Sequence, residues 1–224
     1  MRDLVIVGAG GLGLEIAWLV EEINDFSPSW RLLGFLDNDP GMTGKSVLGY
    51  SVLGTDADAH QYPEAGFVLG VGDPGLRRRL VERISPQVSH WPTLISPTVR
   101  LHKSNSLGVG VVVGRLADMT VDCVIEDFVM INIHAVLGHA VHIGKYSIVD
   151  PNVTINGEGR IGAGCLVGAN AFIRDVVVGD DVTIGAGAVV VRDVPGNCVV
   201  GGVPARVIRT GRPVHGLTKS ERRL

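Results

Sequence analysis

The sequence is poor in aromatic residues and has no excess of basic charge. Phe, Trp and Tyr make up 5% of the 224 residues, and the formal net charge is −3. Proteins that hold nucleic acid through its phosphates concentrate Lys and Arg on one surface. The composition therefore gives no reason to expect a nucleic-acid partner. A hydrophobic content of 46% still permits one or two compact domains with their own cores.

Cysteines are few, and their spacing fits neither a metal site nor a redox motif. The chain has three: Cys123, Cys165 and Cys198. Cys123 and Cys165 occupy positions that are otherwise filled by small residues, so we expect buried free thiols. Free thiols are typical of a reducing compartment, which favours a cytoplasmic location.

The sequence also lacks an uninterrupted hydrophobic run of the length that crosses a membrane. The most apolar stretch, Leu4 to Val20, contains glycines and Glu15, and no cleavage-site pattern follows it. We expect a buried strand, a turn and a helix there, and no membrane partner.

Residues 1 to 92 alternate strand-like and helix-like stretches. Apolar strands are predicted at Leu4–Val7, Leu32–Leu36 and Phe67–Val71, and helical spacing at Leu14–Ile23 and Arg77–Ile84. Such alternation predicts an α/β domain with a small, Rossmann-like parallel sheet.

A glycine-rich turn joins the first strand to the first helix. Gly8 to Gly13 has the pattern GxGxxG, which places backbone N–H groups where a phosphate or sugar can approach them. Asp37, followed by Asn38, lies at the end of the second strand, where an acid often reaches a ribose or base. The alternatives are a tight turn without a ligand and a surface turn. The domain is too short for a complete dinucleotide site, so a nucleotide moiety fits better.

From Ile95 onward an aliphatic residue recurs at every sixth position. This period fits neither a helix nor a simple alternating strand, and it indicates a solenoid of stacked coils. A second inward position, four residues after each aliphatic, holds a small or compact side chain. Three hexads then form one 18-residue coil of a triangular prism, with coils about 4.8 Å apart. We expect this parallel β-helix over residues 93–210 and a tail over residues 211–224. The aliphatic positions are Ile95, Leu101, Leu107, Val113, Met119, Ile125, Ile131, Leu137, Ile143, Val149, Ile155, Ile161, Val167, Ile173 and, after a five-residue step, Val178, Ile184 and Val190.

Three histidines cluster in one predicted coil, and none occupies an inward position. They are His134, His139 and His142. An exposed histidine is usually a solvated one, which is the simplest expectation for His134 and His142. His139 lies at a predicted corner of the prism, where neighbouring prisms meet if the solenoid trimerises.

Residues 1–210 resemble the hexapeptide-repeat acyltransferases that N-acetylate nucleotide-linked amino sugars, such as the bacillosamine-pathway acetyltransferases, and the related sialic acid O-acetyltransferases. The motifs that carry the resemblance are the Gly8–Gly13 turn, Phe35–Asn38, Val71–Asp73, the hexad register with Asn132–His139, and Gly202–Ala205. It implies a left-handed β-helix and a homotrimer with active sites between subunits. It also implies acetyl-coenzyme A as co-substrate, a nucleotide-linked amino sugar as acceptor, and no metal.

The resemblance also implies roles for particular residues. His139 matches the general base that takes a proton from the sugar amine, and Gly157 matches the position whose N–H stabilises the oxyanion. The positions that line the coenzyme groove are Ile148, Gly157, Ala169 and Gly187. The positions that hold the nucleotide sugar are Gly10, Gly11, Leu12, Asp37, Asn38 and Asn132.

Three positions depart from the family pattern. Ala140 replaces a carboxylate that orients the imidazole, and Leu12 and Ile148 stand where the family often has histidine. In an 18-residue coil, Glu158 lies one rung above Ala140 and Asp122 one rung below. We hypothesise that Glu158 or Asp122 orients His139 instead. The alternative is that both are solvated acids.

Other functions remain compatible with the sequence. One is O-acetylation of a sugar hydroxyl, and another is a binding or scaffold protein that has lost its chemistry. The β-helix also occurs in zinc-dependent γ-class carbonic anhydrases, and His134 and His139 reproduce a ligand spacing seen there. The third histidine of that site would be at Thr98, so a zinc site of this kind is not expected.

Overall fold

The N-terminal part of the chain folds as a mostly parallel sheet between two helices. In the computed structural model, which describes residues 1–211, the strand order is β3-β4-β2-β1-β5, and only the β3–β4 pair is antiparallel. Short 3₁₀ segments cover Asp56–Gln61 and Ser85–Gln87. The remaining elements are β1 Arg2–Val7, α1 Gly11–Phe26, β2 Trp30–Leu36, β3 Ser46–Val47, β4 Tyr50–Gly54, β5 Gly66–Leu69 and α2 Pro74–Ile84.

Both faces of this sheet are covered, which explains the uninterrupted apolar run of β1. Leu4 and Ile6 point into the core on the α1 side, whereas Val5 and Val7 belong to the core on the α2 side. Alternation along a strand sends successive side chains to opposite faces, so a strand buried on both faces needs apolar residues throughout. The predicted α/β sheet is confirmed.

Sequence periodicity missed the segment between β2 and β5. The two-residue strand β3, the strand β4 and the 3₁₀ segment after it are too short or too irregular for a period to be visible. The apolar stretch Leu4 to Val20 is the strand, turn and helix that we expected. Within residues 1–211, no helix is long and apolar enough to cross a membrane.

The rest of the described chain winds through three sheets that form the sides of a triangular prism. The first contains β6 Leu94–Ile95, β8 Val112–Val113, β11 Met130–Ile131, β14 Ile148–Val149, β17 Leu166–Val167, β20 Thr183–Ile184, β22 Cys198–Gly201 and β23 Arg206–Thr210. The second contains β9 Asp118–Met119, β12 Val136–Leu137, β15 Thr154–Ile155, β18 Phe172–Ile173 and β21 Val189–Val190. The third contains β7 Ser106–Leu107, β10 Val124–Ile125, β13 His142–Ile143, β16 Arg160–Ile161 and β19 Val177–Val178.

Strand pairing confirms the coil length read from the hexads. Val124 pairs with His142 and His142 with Arg160, which is a step of 18 residues. Arg160 then pairs with Val177, which is the shorter step announced by the five-residue interval before Val178. All pairs within the prism are parallel except β22 with β23 at its end.

The hexad aliphatics fill the interior of the prism, with an exception at its first coil. From Val113 to Val190 every one of them is at most 2% exposed. Leu101, in contrast, is 38% exposed, so the expectation of an inward position was wrong there. It lies in a segment without strand structure below the first complete coil, where no rung closes over it. The three cysteines are buried free thiols, as expected, and the cytoplasmic location stays a prediction.

The corners of the prism place non-glycine residues in the left-handed region of the backbone. At one corner, Asp122, Ala140 and Glu158 have φ values of 59°, 56° and 66°. The same conformation recurs at the same place in successive coils because each coil repeats the turn of the one below. These three residues therefore stack along one edge of the prism.

The two parts of the chain pack closely against each other. The outward side chains of the first sheet, among them Val112, Met130 and Ile148, share a core with Ile16 and Leu19 of α1. The predicted limits 1–92 and 93–210 stay a prediction about domains, and this core crosses them. The predicted tail, apart from Gly211, lies outside the described residues.

A buried arginine ties α2 to the prism. Arg77 is fully buried, and its guanidinium donates hydrogen bonds to the carbonyl oxygen of Phe128 at 2.9 and 3.1 Å and to that of Val71 at 3.0 Å. Burial lowers the pKa of Arg77 to about 9, which leaves it cationic at neutral pH. Carbonyl dipoles thus replace the water that this cation loses on folding.

Replacing Arg77 by Met should destabilise the fold without changing its shape. Each buried carbonyl left without a donor costs about 1–3 kcal/mol, so we expect a loss of about 2–4 kcal/mol in the free energy of unfolding. Urea denaturation at one protein concentration measures it. Arg79→Met, on the exposed face of the same helix, is the matched control and should stay within about 0.5 kcal/mol. Equal effects of the two changes would contradict this account.

Candidate active site

His139 lies at the corner between the second and third sheets. It follows β12 and precedes β13, and its side chain is exposed. The imidazole borders an open cleft of about 440 Å³ on the outside of the prism. The cleft is lined by His139, Asn156, Gly157, Glu158, Arg174 and Asp175.

Gly157, one coil above, supports the face of the imidazole. A Cβ at this position would collide with Nε2, Cε1 and Cδ2 of His139. Only glycine allows the ring to lie against the backbone there. Among residues 1–211 the N–H of Gly157 donates to no acceptor, so it is available to a ligand in the cleft. The stacked coils thus place a potential base directly beside a free backbone donor.

The two candidate orienting acids occupy the same edge but different surroundings. Glu158 lines the cleft, and its backbone N–H donates to the carbonyl oxygen of His139 at 2.7 Å. Asp122 lies one coil below and outside the cleft, with its backbone N–H bonded to Ser104 Oγ at 2.9 Å. In the described part of the chain, neither carboxylate hydrogen-bonds to the imidazole.

Three residues of the cleft escaped the sequence analysis. Asn156 and Arg174 lie one coil apart on the same edge, and Arg174 Nε donates to Asp175 Oδ1 at 2.8 Å. The signal that could have found them was the coil length, since Arg174 follows Asn156 by 18 residues. The pair adds a cation and a carboxylate above the imidazole.

The predicted coenzyme positions do not all face one groove. Ile148 is 2% exposed because α1 covers the face of the first sheet to which it belongs. The expectation that its side chain lines the coenzyme groove was therefore wrong. Ala169 and Gly187 stack at the corner between the first and second sheets, where the N–H of Gly187 donates to the carbonyl oxygen of Ala169 at 2.8 Å. That corner is a different edge of the prism from the one that carries His139.

The glycine-rich turn leaves open space at the start of α1. A Cβ at Gly10 or Gly11 would meet nothing within 4 Å, whereas one at Gly13 would collide with the carbonyl oxygen of Gly8. Gly10 is the N-cap and gives no side-chain cap, so the first-turn N–H groups next to Leu12 are free for an anion. The first glycines therefore provide access, and Gly13 lets the helix approach the sheet.

Asp37 anchors this turn to the end of β2. Its Oδ2 accepts a hydrogen bond from the N–H of Ala9 at 2.8 Å, and its Oδ1 accepts one from the N–H of Asp39 at 2.8 Å. Both expectations for Asp37 hold in part, because it forms a turn and also borders a cavity. That cavity, of about 180 Å³, lies at the carboxyl ends of β1, β2 and β5. It is lined by Val7, Gly8, Leu36, Asp37, Asn38, Asp56, Val71, Leu76 and Leu80.

Asp56 was missed because it belongs to the 3₁₀ segment that periodicity did not reveal. It is 5% exposed and borders the cavity beside Asn38. Its Oδ2 accepts from Asn38 Nδ2 at 2.9 Å and from Arg83 Nη1 at 2.6 Å. A buried carboxylate paired in this way, between β4 and the base of α2, is fixed in position.

Asn132 belongs to a different cleft from the other predicted sugar-binding residues. It borders a space of about 90 Å³ between α1 and the first sheet, next to Trp18 and Arg115. The prediction that groups it with Gly10 and Asp37 was wrong within one chain. The reason is that Asn132 ends a strand under α1, whereas Asp37 ends a strand of the N-terminal sheet.

The other two histidines of the cluster differ from each other. His134 is exposed, as expected, but His142 is half-buried, with Nε2 at 2.9 Å from Glu126 Oε1. The expectation of a solvated His142 was wrong, because Glu126 follows β10, which pairs with β13. Among residues 1–211 no three His, Cys, Asp or Glu side chains are grouped as a metal site.

Two family models match the chain. The PglD N-terminal domain matches residues 3–84, and the bacterial transferase hexapeptide (six repeats) matches residues 122–157 and 159–192. The first covers the sheet with the Asp37 cavity, and the second covers the coils around His139.

Curated relatives match over different lengths. The GDP-perosamine N-acetyltransferase of Escherichia coli O157:H7 is 28% identical over 212 residues, which is 91% of this chain and 95% of that protein. The serine acetyltransferase of Synechococcus elongatus is 30% identical over 66% of this chain. This match spans 63% of the serine acetyltransferase, less than two thirds of its length.

Solved structures match over nearly the whole chain. A His-to-Asn variant of perosamine N-acetyltransferase from Caulobacter crescentus, in complex with CoA and GDP-perosamine, has a TM-score of 0.86 at 27% identity. The alignment covers 93% of this chain and 98% of that one. The acetyltransferase domain of PglB from Neisseria gonorrhoeae, in complex with acetyl coenzyme A, has a TM-score of 0.84 at 31% identity and covers 92% and 99%. The expected fold, an α/β domain followed by a left-handed parallel β-helix, is confirmed.

Replacing Gly157 by Ala should displace the imidazole of His139 and leave the coils intact. The new methyl group needs about 3.5 Å from the ring atoms, so we expect the ring to move by about 1 Å or to change rotamer. A crystal structure of the variant measures this shift. Gly75→Ala in α2, where a Cβ has ordinary contacts, is the control. An unmoved ring in the Gly157→Ala variant would contradict the contact described here.

Proposed function

The chain belongs to the hexapeptide-repeat acetyltransferases that act on nucleotide-linked amino sugars, and we propose that it transfers acetyl from acetyl-coenzyme A to the amine of such a sugar. The observation that carries this proposal is the contact of His139 with Gly157 at the edge of an open cleft. The relatives that share the whole fold are named for perosamine N-acetylation or hold acetyl coenzyme A.

In the proposed reaction the amine nitrogen attacks the thioester carbonyl. His139 takes a proton from the nitrogen as the C–N bond forms, and the carbonyl oxygen becomes an oxyanion. The N–H of Gly157 donates a hydrogen bond to that oxyanion, and collapse of the intermediate expels the coenzyme A thiolate. The thioester is already activated, so positioning, proton removal and oxyanion stabilisation are sufficient for turnover.

The glycine-rich turn and the Asp37 cavity are proposed to hold the nucleotide sugar. Free N–H groups at the start of α1 suit a diphosphate, with Gly10, Gly11 and Leu12 as the contact positions. The cavity at the carboxyl ends of the strands is where ligands bind in open α/β sheets. Asp37 and Asn38 form its polar rim.

We further propose a homotrimer with the active sites between subunits. His139 lies on one edge of the prism, whereas Ala169 and Gly187 lie on another. A coenzyme held by Ala169 and Gly187 of one copy reaches a His139 only if a second copy brings its own edge alongside. A single chain thus supplies the parts of the site on separate surfaces.

Glu158 is proposed as the residue that orients His139 in place of the missing carboxylate at Ala140. It is the candidate acid that lines the cleft, and its backbone is bonded to that of His139. Its side chain, on the rung above Ala140, starts about 4.8 Å from the place of the usual acid. Asp122 is the weaker candidate because it stands outside the cleft.

His139→Asn should remove most of the activity while preserving the fold. Loss of a positioned general base lowers kcat by about 10²- to 10⁴-fold. Release of the coenzyme A thiol, followed with a thiol reagent and a panel of nucleotide-linked amino sugars, measures it. His102→Asn, an exposed histidine near the first coil, should leave kcat unchanged. Retention of kcat within about threefold in His139→Asn would exclude the proposed base, since the expected loss is at least 10²-fold.

Glu158→Gln should lower kcat by at least about tenfold and change its pH profile, because an imidazole without its acidic partner is a weaker base. Asp122→Asn is the matched control, since it stands on the same edge with nearly the same backbone conformation. Adding Ala140→Asp to Glu158→Gln should restore part of the lost kcat. A kcat within about threefold of the parent, or a loss without any change in the pH profile, would reject the positioning role.

A further inference from the structure

The geometry points to guanine as the base of the nucleotide-linked sugar, recognised by the carboxylate of Asp56. This inference rests on the proposed function, and it concerns the cavity at the ends of β1, β2 and β5. It assigns a specificity-determining role to a residue outside the glycine-rich turn and outside the acetyl-transfer cleft.

The cavity has the composition of a base-binding pocket. Apolar side chains from α2 and the loop before it, Val71, Leu76 and Leu80, form its wall, and its polar groups are confined to one rim. An aromatic base that leaves water stacks on such apolar side chains and is read through the hydrogen bonds of its edge. The rim therefore decides which base fits.

Asp56 presents an acceptor that the protein itself does not use. Its Oδ2 is occupied by Asn38 Nδ2 and Arg83 Nη1, whereas Oδ1 accepts no hydrogen bond from residues 1–211. The residue is 5% exposed, yet no unpaired polar side-chain atom of the described chain is completely sealed from solvent. Oδ1 thus keeps its access through the cavity that Asp56 borders. A nearly buried carboxylate oxygen of this kind favours a ligand that donates to it.

Asn38 stands beside this acceptor in a fixed orientation. Its Oδ1 accepts from the backbone N–H of Asp56 at 3.0 Å, while Nδ2 donates one hydrogen to Asp56 Oδ2. One N–H of Nδ2 remains for a ligand. The rim consequently offers a donor next to a carboxylate acceptor.

Among the common bases, guanine complements this order of groups. Its O6 accepts, and the neighbouring N1–H and N2–H₂ both donate. Uracil and thymine have one N–H between two carbonyl oxygens, so one of these oxygens would face the carboxylate. Adenine and cytosine place a ring-nitrogen lone pair where guanine has N1–H. A carboxylate repels either arrangement, and an unmatched buried polar group costs affinity.

The test is calorimetric titration of the full chain with four free nucleotides: GDP, IDP, UDP and dTDP. IDP lacks only the 2-amino group of guanine. We expect GDP to bind at least about 30-fold more tightly than UDP or dTDP, and about 10-fold more tightly than IDP, since one hydrogen bond to a charged group is lost. UDP or dTDP binding as tightly as GDP, or equal binding of GDP and IDP, overturns the proposal.

Two variants locate the effect at Asp56. Asp56→Asn replaces the carboxylate by an amide and should abolish the preference for GDP over IDP. Arg83→Gln removes the ion-pair partner, whose side chain is 55% exposed, and keeps the carboxylate, so the preference should persist. A preference that survives Asp56→Asn overturns the assignment to this residue. If Asp56→Asn does not fold, the parent protein's ranking of GDP, IDP and UDP still decides the base.

The same titrations separate this inference from the proposed function. Preferential binding of UDP overturns only the choice of base and leaves acetyl transfer to a nucleotide-linked sugar intact. Absence of binding by all four nucleotides overturns both the base and the nucleotide site. Thiol release from acetyl-coenzyme A with a GDP-linked amino sugar, but not with its UDP-linked counterpart, supports both together.

Discussion

The structure depends on the vertical stacking of residues that are one coil apart. Parallel strands two residues long cannot hold a fold individually, but each pairs with the strand below and the strand above, so the prism is stable as a stack. The same stacking brings His139 and Gly157 into contact, although they are 18 residues apart. A site built on stacked coils needs no long loop to position it. This rigidity suits a reaction in which placement of the amine and thioester does most of the work.

The N-terminal domain is joined to this stack through apolar packing and one buried cation. Ile148 and its neighbours on the first sheet meet α1, and Arg77 donates to the carbonyl oxygen of Phe128 at a corner of the prism. This arrangement consumes one side of the prism. It leaves the edges of His139 and of Gly187 exposed, and it holds the Asp37 cavity at a distance from both. Binding of the nucleotide and acetyl transfer thus use different walls of the same molecule, which agrees with active sites completed by a neighbouring copy.

Several parts of the site followed from the sequence, and others did not. The hexad period located His139 at a corner and Gly157 above it, because the period of a solenoid is also its three-dimensional lattice. The GxGxxG pattern located the open turn at Gly10 and Gly11. Asp56 and Arg174 were not found, because one lies in a 3₁₀ segment without periodicity and the other was not singled out by its residue type. Ile148 and Asn132 were placed wrongly, since a position in a repeat does not reveal which face another domain covers.

The sequence by itself determined the coil length, the inward and outward alternation, the corner residues and the order of the two folds, since all of these depend on local period and composition. The tertiary structure decided which sheet of the prism α1 covers, that Asp56 turns toward Asn38 and Arg83, and that His142 meets Glu126. It also decided that the Asp37 cavity and the His139 cleft are separate. Contacts of this kind join segments far apart in the chain, and their geometry is set by how complete surfaces pack, which no local pattern encodes.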